Sequence, residues 1–439
     1  MVMKIAIITA GGAGMYCGSC MQDNSLASSL LSLGHDVQLL PTYTPIRTDE
    51  SDVSLDRVFF GGINVYLNHR FQWWHRIPSW LRSQLDRPGL IRLLAGMAST
   101  NTQELGGLTL SMLRGEHVRE SDELVQYLVC QGQPDVVIFS NALLVGMLHD
   151  LKNQWSGPVY CLLQGDDIFT EGLSEPYRSQ VLSLIREKVQ QFDGFFVHSN
   201  YYKDFMSEYF EIEKSRFHHI PLGIQLDEFC TPETSEETHF KQSDSDNPDS
   251  KTTKQSLKIG YFARVCPEKG LHQLVEALGL VCEQGIEFEF RVAGYVPEQH
   301  KEYLRLQIEM SKQLGFKLLY RECPDRSSKI NFLQSLDIFS VPTVYQEPKG
   351  IYVLEALASG VPVIQPEHGS FPELVGRTGG GLLVEPGNTS DLADKIATLM
   401  RDDCLREQLG SSGARAVSGF SVEASASALL QALDGAMFT

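Results

Sequence analysis

Short apolar, β-rich runs alternate with stretches of helical periodicity along most of this chain. In the N-terminal half the runs expected to form strands are Ile5–Thr9, Val37–Leu40, Asp135–Phe139, Val159–Leu163 and Gly194–His198. In the C-terminal half they are Leu257–Phe262, Glu287–Ala293, Asp337–Val341 and Val361–Ile364. Strands that alternate with helices form βαβ units, which build a parallel sheet. The pattern therefore predicts an α/β protein with doubly wound sheets.

Helices are predicted between several of these strands. Asp23–Leu33 has helical character, and Gly34 follows it at the position where a C-cap glycine belongs. Leu173–Phe192 is a long helix candidate, whereas Glu347–Ser359 and Ser390–Met400 are helical or lead into helices.

The stretch from Cys230 to Ser256 interrupts this alternation. It consists almost entirely of Ser, Thr, Asp, Glu, Lys, Pro and Asn, so it cannot bury enough apolar area to offset the entropy lost on ordering. We interpret 230–256 as a flexible linker or insertion between an N-terminal domain, 1–229, and a C-terminal domain, 257–419. A final helix at about 420–439 can pack back onto the first domain.

Length and composition narrow the class of protein. A chain of 439 residues suits two domains rather than one core. The formal net charge of −18 argues against a nucleic-acid partner. Nine scattered cysteines suit a reducing compartment, and no apolar run approaches the roughly 20 residues that span a bilayer. We expect a cytoplasmic protein, with the inner face of the membrane as one place where it could act.

The segment Tyr261–Gly270 has the features of an anion site. A strand is predicted to end near Phe262 and a helix to start near Pro267, with Arg264 and Lys269 on either side of the turn. The apolar residues that follow share one helical face: Leu271, Leu274, Val275 and Leu278. Free N–H groups and the dipole at a helix start favour an anion, and the two cations add to that attraction. A diphosphate fits this pattern, although a pair of solvated cations would give the same residues.

A second segment, Glu347–Gly360, carries two carboxylates in an unusual setting. Glu347 lies on a polar loop, Gly350 opens a helix, and Glu355 falls within the apolar part of that helix. An ionised carboxylate accepts two hydrogen bonds and can hold a vicinal diol, so two carboxylates can hold a ribose and a hexose. Glycine lets the backbone approach a ligand. The alternative is a loop charge and a solvated helix residue, but the apolar surroundings of Glu355 favour burial.

These segments resemble, in order, those of the retaining glycosyltransferases of family four (glycosyl transferases group 1), which have the GT-B fold. The matching segments are Ala263–Gly270, Val292–Gly294, Asp337–Phe339 with Pro342, Glu347–Glu355, Gly360–Ile364, Pro372–Val375, Val197–Tyr201 and Ile220–Gly223. The resemblance spans nearly the whole chain. It implies two Rossmann-like domains that face each other across a cleft.

The resemblance also implies roles for individual residues. Arg264 and Lys269 would bind the donor diphosphate and stabilise the leaving group, Glu347 would contact the donor sugar, and Glu355 the ribose. The backbone N–H groups of Gly350 and Ile351 would touch the sugar or its phosphate. The expected reaction is a retaining hexosyl transfer from a nucleotide-diphosphate sugar, as co-substrate, to a carbohydrate or lipid-linked acceptor.

No cofactor or metal is expected, because the family usually needs none. The pair Asp244–Asp246 lies in the linker, and we interpret its metal-like spacing as chance.

Departures from the family pattern leave alternatives open. Lys349 stands where the family commonly has an apolar residue, and Leu222 and Gln225 replace a common Asn and Asp, so the donor is not identified. Gln164 occupies a place where many members carry a His, and an amide cannot shuttle protons at neutral pH. A sugar-nucleotide binder without turnover, or an epimerase or phosphorylase of the same fold, remains an alternative.

The N-terminal domain contributes further candidates. A Gly-rich turn that includes Gly12 and Gly14 follows the first strand; a nicotinamide site is disfavoured because Pro41, not an acid, ends the second strand. The resemblance assigns the turn to the donor phosphate or the acceptor, and Tyr16, Gln164 and Asp166 to the acceptor side.

Two further N-terminal features have competing interpretations. Cys17 and Cys20 have a redox or metal-binding spacing, but no second close pair of cysteines accompanies them. We favour the interpretation that they are small residues of a loop; a redox-sensitive acceptor loop is the alternative. The stretch His69–Leu94 combines five arginines with three tryptophans. It could contact a membrane or an anionic acceptor, or form a helix pair with its aromatics in the core.

Overall fold

The computed structural model of this chain describes residues 2–11, 17–59, 102–229 and 256–437. They form two compact units, one of residues up to Gly223 together with those from Val422 onward, and one from Ile224 to Ser421. Residues 224–229, which precede the expected linker, therefore belong to the second unit. Of the predicted linker, only Ser256 is among the described residues.

Elements are numbered in chain order over the described residues. The strands are β1 (Lys4–Thr9), β2 (Asp36–Pro41), β3 (Val136–Phe139), β4 (Val159–Leu162), β5 (Gly194–Val197), β6 (Phe217–His219), β7 (Leu257–Phe262), β8 (Phe288–Ala293), β9 (Leu318–Arg321), β10 (Ile338–Ser340), β11 (Val363–Pro366) and β12 (Gly381–Val384). The α-helices are α1 (Gly18–Ser32), α2 (Thr102–Arg114), α3 (Val118–Tyr127), α4 (Leu148–Gln154), α5 (Asp166–Glu171), α6 (Tyr177–Lys188), α7 (Asn200–Tyr209), α8 (Leu271–Glu283), α9 (Lys301–Gln313), α10 (Arg326–Gln334), α11 (Ile351–Ala358), α12 (Phe371–Thr378), α13 (Thr389–Arg401), α14 (Asp403–Ala416) and α15 (Val422–Met437).

Each unit contains a six-stranded sheet whose strand pairs are all parallel. The first sheet has the order β2-β1-β3-β4-β5-β6, and the second has the order β12-β11-β10-β7-β8-β9. The strand order reverses between β1 and β3 in the first sheet and between β7 and β10 in the second. This is the doubly wound topology, in which a ligand crevice lies at the carboxyl ends of the strands beside the reversal. The predicted α/β fold of two doubly wound domains is confirmed.

Both faces of the first sheet are buried, as parallel sheets require. Ile5 and Ile7 of β1 pack into one apolar cluster, and Ile8 packs into another. The first cluster includes buried residues of α15, among them Leu429 and Leu433. The C-terminal helix thus completes the core of the N-terminal unit.

The predicted strands are present, with bounds that shift by one or two residues. The run Val361–Ile364 begins to pair only at Val363, because Pro362 has no N–H group to donate to a neighbouring strand. Three strands were not predicted from sequence, namely β6, β9 and β12.

Two helix predictions need correction. The first helix begins at Gly18, not at Asp23, since buried polar residues in its first turns hide the apolar periodicity. The predicted bounds of the long helix Leu173–Phe192 are wrong at both ends, because the helix spans Tyr177–Lys188. Pro176 caps the start of α6 at Tyr177, and the helix tightens into a 3₁₀ turn after Lys188.

None of the helices in the described ranges combines the length and the apolar character that a bilayer crossing requires.

We predict that Leu429→Ala destabilises the N-terminal unit by about 2–5 kcal/mol, because it opens a cavity at a fully buried position of α15. Trp155 packs against the core of this unit, so its fluorescence during urea unfolding reports on this unit. Ser427→Ala, at an exposed position of the same helix, is the matched control. Equal unfolding midpoints for the two variants would contradict the assignment of α15 to this core.

Candidate functional site

The strongest cluster of polar side chains lies where the strand order of the second sheet reverses. Arg264 follows the carboxyl end of β7, and the loop that contains Glu347 follows β10, its neighbour in the sheet. The two loops are joined directly, because the Val344 N–H donates to the Glu268 carbonyl oxygen at 2.9 Å. The sequence predicted both segments as parts of one site, and the topology places them at one edge of the sheet.

Gly270 permits this close approach. Its φ is +72°, and a Cβ atom at this position would lie 1.7 Å from the carbonyl oxygen of Pro342. A residue with a side chain would therefore push the start of α8 away from the end of β10. The same contact brings Lys269, one residue earlier, to the loop after β10.

Lys269 and Glu347 form a nearly buried ion pair. Lys269 Nζ donates to Glu347 Oε2 at 2.5 Å and to Tyr345 Oη at 2.6 Å. Tyr345 Oη and Tyr352 Oη in turn donate to Glu347 Oε2, at 2.7 and 3.0 Å. The Lys269 ammonium also lies 5.0 and 4.9 Å from the centroids of the two tyrosine rings, within cation–π range. The predicted phosphate-binding cation and sugar-binding carboxylate are direct partners.

The electrostatics of this cluster keep Glu347 ionised. Burial alone would raise the pKa of its carboxyl group. The attraction of Lys269 and the hydrogen bonds from Lys269, Tyr345 and Tyr352 outweigh burial and lower the pKa from 4.5 to about 2. Glu347 is therefore a hydrogen-bond acceptor, not a proton donor, at neutral pH.

Arg264 lies beside this cluster and is exposed. Burial and the Glu347 carboxylate raise the pKa of Tyr345 well above its usual range, and the nearby Arg264 guanidinium opposes that rise. Within the described part of the chain, no carboxylate forms an ion pair with Arg264. Its guanidinium makes a side-chain hydrogen bond with Cys266 and lies near the Glu268 carboxylate and the Tyr345 hydroxyl.

Gly350 begins α11 with φ +76°, and a Cβ atom there would come within 3.1 Å of Leu374 and Phe371 side chains. The first N–H groups of a helix, here from Ile351 onward, have no acceptor within the helix. The N–H groups of Ile351 and Tyr352 are close in sequence to Lys349. The backbone N–H of Lys349 donates to Glu347 Oε1 at 3.4 Å. Lys349, the charged residue that departs from the family pattern, is buried, and its backbone N–H is what contacts Glu347.

Glu355 is buried in α11, as its apolar neighbours predicted. Lys329 Nζ, from the neighbouring α10, donates to Glu355 Oε1 at 2.6 Å. Sequence reasoning missed Lys329, Tyr345 and Tyr352. The two tyrosines are close to Glu347 in sequence and could have been proposed from that proximity, but nothing in the sequence pointed to Lys329.

Two of the predicted acceptor-side residues, Gln164 and Asp166, are described, and both follow the carboxyl end of β4 in the first unit. Gln164 Nε2 donates to Asp23 Oδ1 at 2.7 Å. The carboxylate of Asp166 accepts the Ala142 N–H at 2.5 Å and the Gln164 N–H at 2.9 Å. Burial raises the pKa of Asp166 from 3.8 to about 6, against the effect of these hydrogen bonds. Asp166 therefore ties the end of β3 to the end of β4.

Several predicted features lie outside the described residues: Gly12, Gly14, Tyr16, the stretch 69–94 and the pair 244–246. Cys17 and Cys20 are described, and both are free thiols. A hydrogen bond with Cys17, burial and nearby negative charge raise the pKa of Cys20 well above its usual range, which disfavours a reactive thiolate there. Within the described ranges no group of three or more His, Cys, Asp or Glu could hold a metal ion.

Part of the chain is similar to known glycosyltransferases. Residues 242–416 match the family model of glycosyl transferases group 1. The chain is 27% identical over 199 residues to the capsular polysaccharide biosynthesis glycosyltransferase CapM of Staphylococcus aureus, which covers 44% of this chain and 48% of CapM. It is 30% identical over 169 residues to the phosphatidyl-myo-inositol mannosyltransferase of Mycobacterium leprae, covering 38% and 42% of the two chains. The matched part spans about half or less of each of these relatives.

Solved structures share the fold along the whole chain. The sucrose-phosphate synthase of Thermosynechococcus elongatus superposes with a TM-score of 0.70 at 17% identity, over 98% of both chains. Anabaena HepE, solved in complex with UDP, superposes with a TM-score of 0.65 at 15% identity, over 99% of this chain and 100% of HepE. Both comparisons support the GT-B type of fold.

We predict a pH-dependent contribution of Glu347 to stability. Its pKa in the folded protein, about 2, lies below the ordinary 4.5, so the contribution is complete above pH 4.5 and is lost as the pH falls through 2. The shift corresponds to about 3 kcal/mol. Calorimetry of wild type and Glu347→Gln should show a stability difference that is largest near pH 7 and shrinks toward pH 2. A difference that does not change with pH would contradict the ionised pair.

Proposed function

We propose that this chain is a retaining hexosyltransferase that moves a sugar from a nucleoside-diphosphate sugar to an acceptor hydroxyl. The observation that carries the proposal is the Lys269–Glu347 pair, with Arg264 beside it, at the strand-order reversal of the second sheet. The segment that holds these residues also lies within the match to glycosyl transferases group 1.

In the proposed donor site, the cations bind the diphosphate and the Glu347 carboxylate binds the sugar. Arg264 and Lys269 attract the diphosphate and stabilise the negative charge that develops on it as the glycosidic bond breaks. When the diphosphate becomes a second partner of Lys269, the Glu347 carboxylate can accept hydrogen bonds from the sugar hydroxyls. Because the pKa of Glu347 is about 2, its role is to orient the sugar and not to move a proton.

The nucleoside is placed beyond the diphosphate, with its ribose at Glu355. Gly350 and Ile351 would offer backbone N–H groups to the donor, as the start of a helix does for phosphates. Gly12 and Gly14 are proposed to approach the donor phosphate. One relative is named as GDP-mannose-dependent, and HepE was solved with UDP, so both bases are candidates for this chain.

The acceptor is proposed to be a carbohydrate or a lipid-linked sugar. A neighbour of 0.52 TM-score, TarM of Staphylococcus aureus, was solved with fondaparinux and α-GlcNAc-glycerol, and the mycobacterial relative is named for phosphatidyl-myo-inositol. Tyr16 and Gln164 are proposed to meet the acceptor, whereas Asp166 would act by holding the loop after β4. We propose a cytoplasmic enzyme that needs no metal, with 69–94 as its contact to a membrane.

We predict that Arg264→Ala and Glu347→Ala each lower the transfer rate by at least about a hundredfold, as loss of one preorganised charged group typically does. The donor is first chosen by thermal shift with UDP-, GDP-, ADP- and TDP-sugars, since ligand at 100 times its Kd adds about 2.7 kcal/mol of stability. The rate is then measured as nucleoside diphosphate released with acceptor present. Lys312→Ala, an exposed cation on α9, is the control. Full activity in either variant would refute these roles.

We also predict that the new glycosidic bond keeps the anomeric configuration of the donor. Proton NMR of the product, recorded before it can mutarotate, gives the configuration directly. An inverted product would refute the retaining mechanism while leaving sugar transfer intact. Epimerised donor, or donor binding without any product, would instead support the epimerase or the binding-protein alternative.

A further inference from the structure

Lys329 and Glu355 form an ion pair between two helices of the second unit. Lys329 Nζ donates to Glu355 Oε1 at 2.6 Å, and the two side chains are only 5% and 8% exposed. Within the described part of the chain, the other carboxylate oxygen, Oε2, accepts no hydrogen bond. The pair therefore immobilises the carboxylate through one oxygen and leaves the second oxygen without a donor from these residues.

Stability does not account for this pair. Removing two charges from water is costly, and a well-packed apolar pair of similar size is often equally or more stabilising. The helix around Glu355 is otherwise apolar, with the sequence Ile351–Leu354 before it and Ala356–Ala358 after it. An apolar residue at 355 would continue that packing, so packing alone does not require the two charges, whereas contact with a polar ligand would use them.

The position of the pair suggests which ligand. Glu355 lies on α11, whose first residue follows Gly350, and the same loop holds Glu347. Ribose hydroxyls are donors that an ionised carboxylate accepts. A carboxylate free to rotate would lose entropy on binding them, whereas one held by Lys329 is already oriented.

We infer that Lys329 is a positioning residue that holds Glu355 so that Oε2 receives a ribose hydroxyl. This inference rests on the proposed function, which places the ribose at Glu355. Its consequence is that the Lys329–Glu355 pair, and not Glu355 alone, makes the chain distinguish ribonucleotides from deoxyribonucleotides.

Two other roles for Lys329 make different predictions. If Lys329 only attracts the diphosphate by its charge, its loss weakens the binding of ribonucleotides and of deoxyribonucleotides by the same factor. If it only supports packing, its loss lowers stability and leaves the ratio of the two affinities unchanged. The ratio of affinities therefore isolates the positioning role.

The experiment measures the Kd of UDP, GDP and ADP and of their 2′-deoxy and 3′-deoxy counterparts by calorimetric titration of the full chain. For the base that binds best, wild type should prefer the ribonucleotide over at least one deoxy counterpart by about tenfold or more, the value of a hydrogen bond to a charged group. Lys329→Met should reduce that preference to below about threefold. Lys329→Arg should restore most of it, and Lys312→Met on α9 should leave it unchanged.

A Lys329→Met protein that keeps the wild-type preference overturns the inference, as does a wild type that binds nucleoside diphosphates without distinguishing ribose. A wild type that binds none of the nucleotides overturns the proposed function itself. If Lys329→Met fails to fold, the double variant Lys329→Met/Glu355→Gln removes both charges together. This double variant should fold and should bind the ribonucleotide and its deoxy counterparts with similar Kd. If it still prefers the ribonucleotide, the inference is again overturned.

Discussion

The ion pair between Lys269 and Glu347 is the interaction on which the site depends. The two residues are 78 positions apart, and they meet only because β7 and β10 are neighbours at the strand-order reversal of the second sheet. Gly270 then removes the side chain that would hold the two loops apart. The Lys269–Glu347 contact thus depends both on the strand order of the sheet and on the backbone conformation of Gly270.

The charge in this part of the molecule is opposite to that of the whole chain. The formal net charge is −18, yet the region around Glu347 and Glu355 contains Arg264, Lys269, Lys329 and Lys349. Glu268 lies next to Arg264, so these four cations outnumber the three carboxylates Glu268, Glu347 and Glu355 by one. Burial strengthens these interactions because fewer water molecules screen them. A strongly acidic protein can therefore contain a local excess of positive charge.

Among the described strands, the sequence pattern predicted every central strand and the edge strand β2, but it missed the other three edge strands. Central strands such as β1 and β3 contain runs of buried apolar residues, whereas the three missed strands, β6, β9 and β12, lie at sheet edges and are partly exposed. An edge strand has a neighbour on one side only, so its residues need not be apolar throughout. The same limit applies to the site. Glu347 and Lys269 belong to local motifs, but the pairing of Lys329 with Glu355 depends on how two helices pack, which helical periodicity does not specify.

Three of the predicted polar residues, Glu347, Gln164 and Asp166, are poorly suited to transfer a proton. Glu347 has a pKa of about 2 and is a weak base, and Gln164 carries an amide that does not exchange protons in this range. Asp166 has a pKa of about 6, nearer to neutrality, but both of its oxygens accept backbone N–H groups, so protonation would weaken the link between β3 and β4. None of the three is suited to carry a proton during the reaction. The proposed transfer therefore depends on stabilising the charge of the departing diphosphate, which is the role proposed for Arg264 and Lys269.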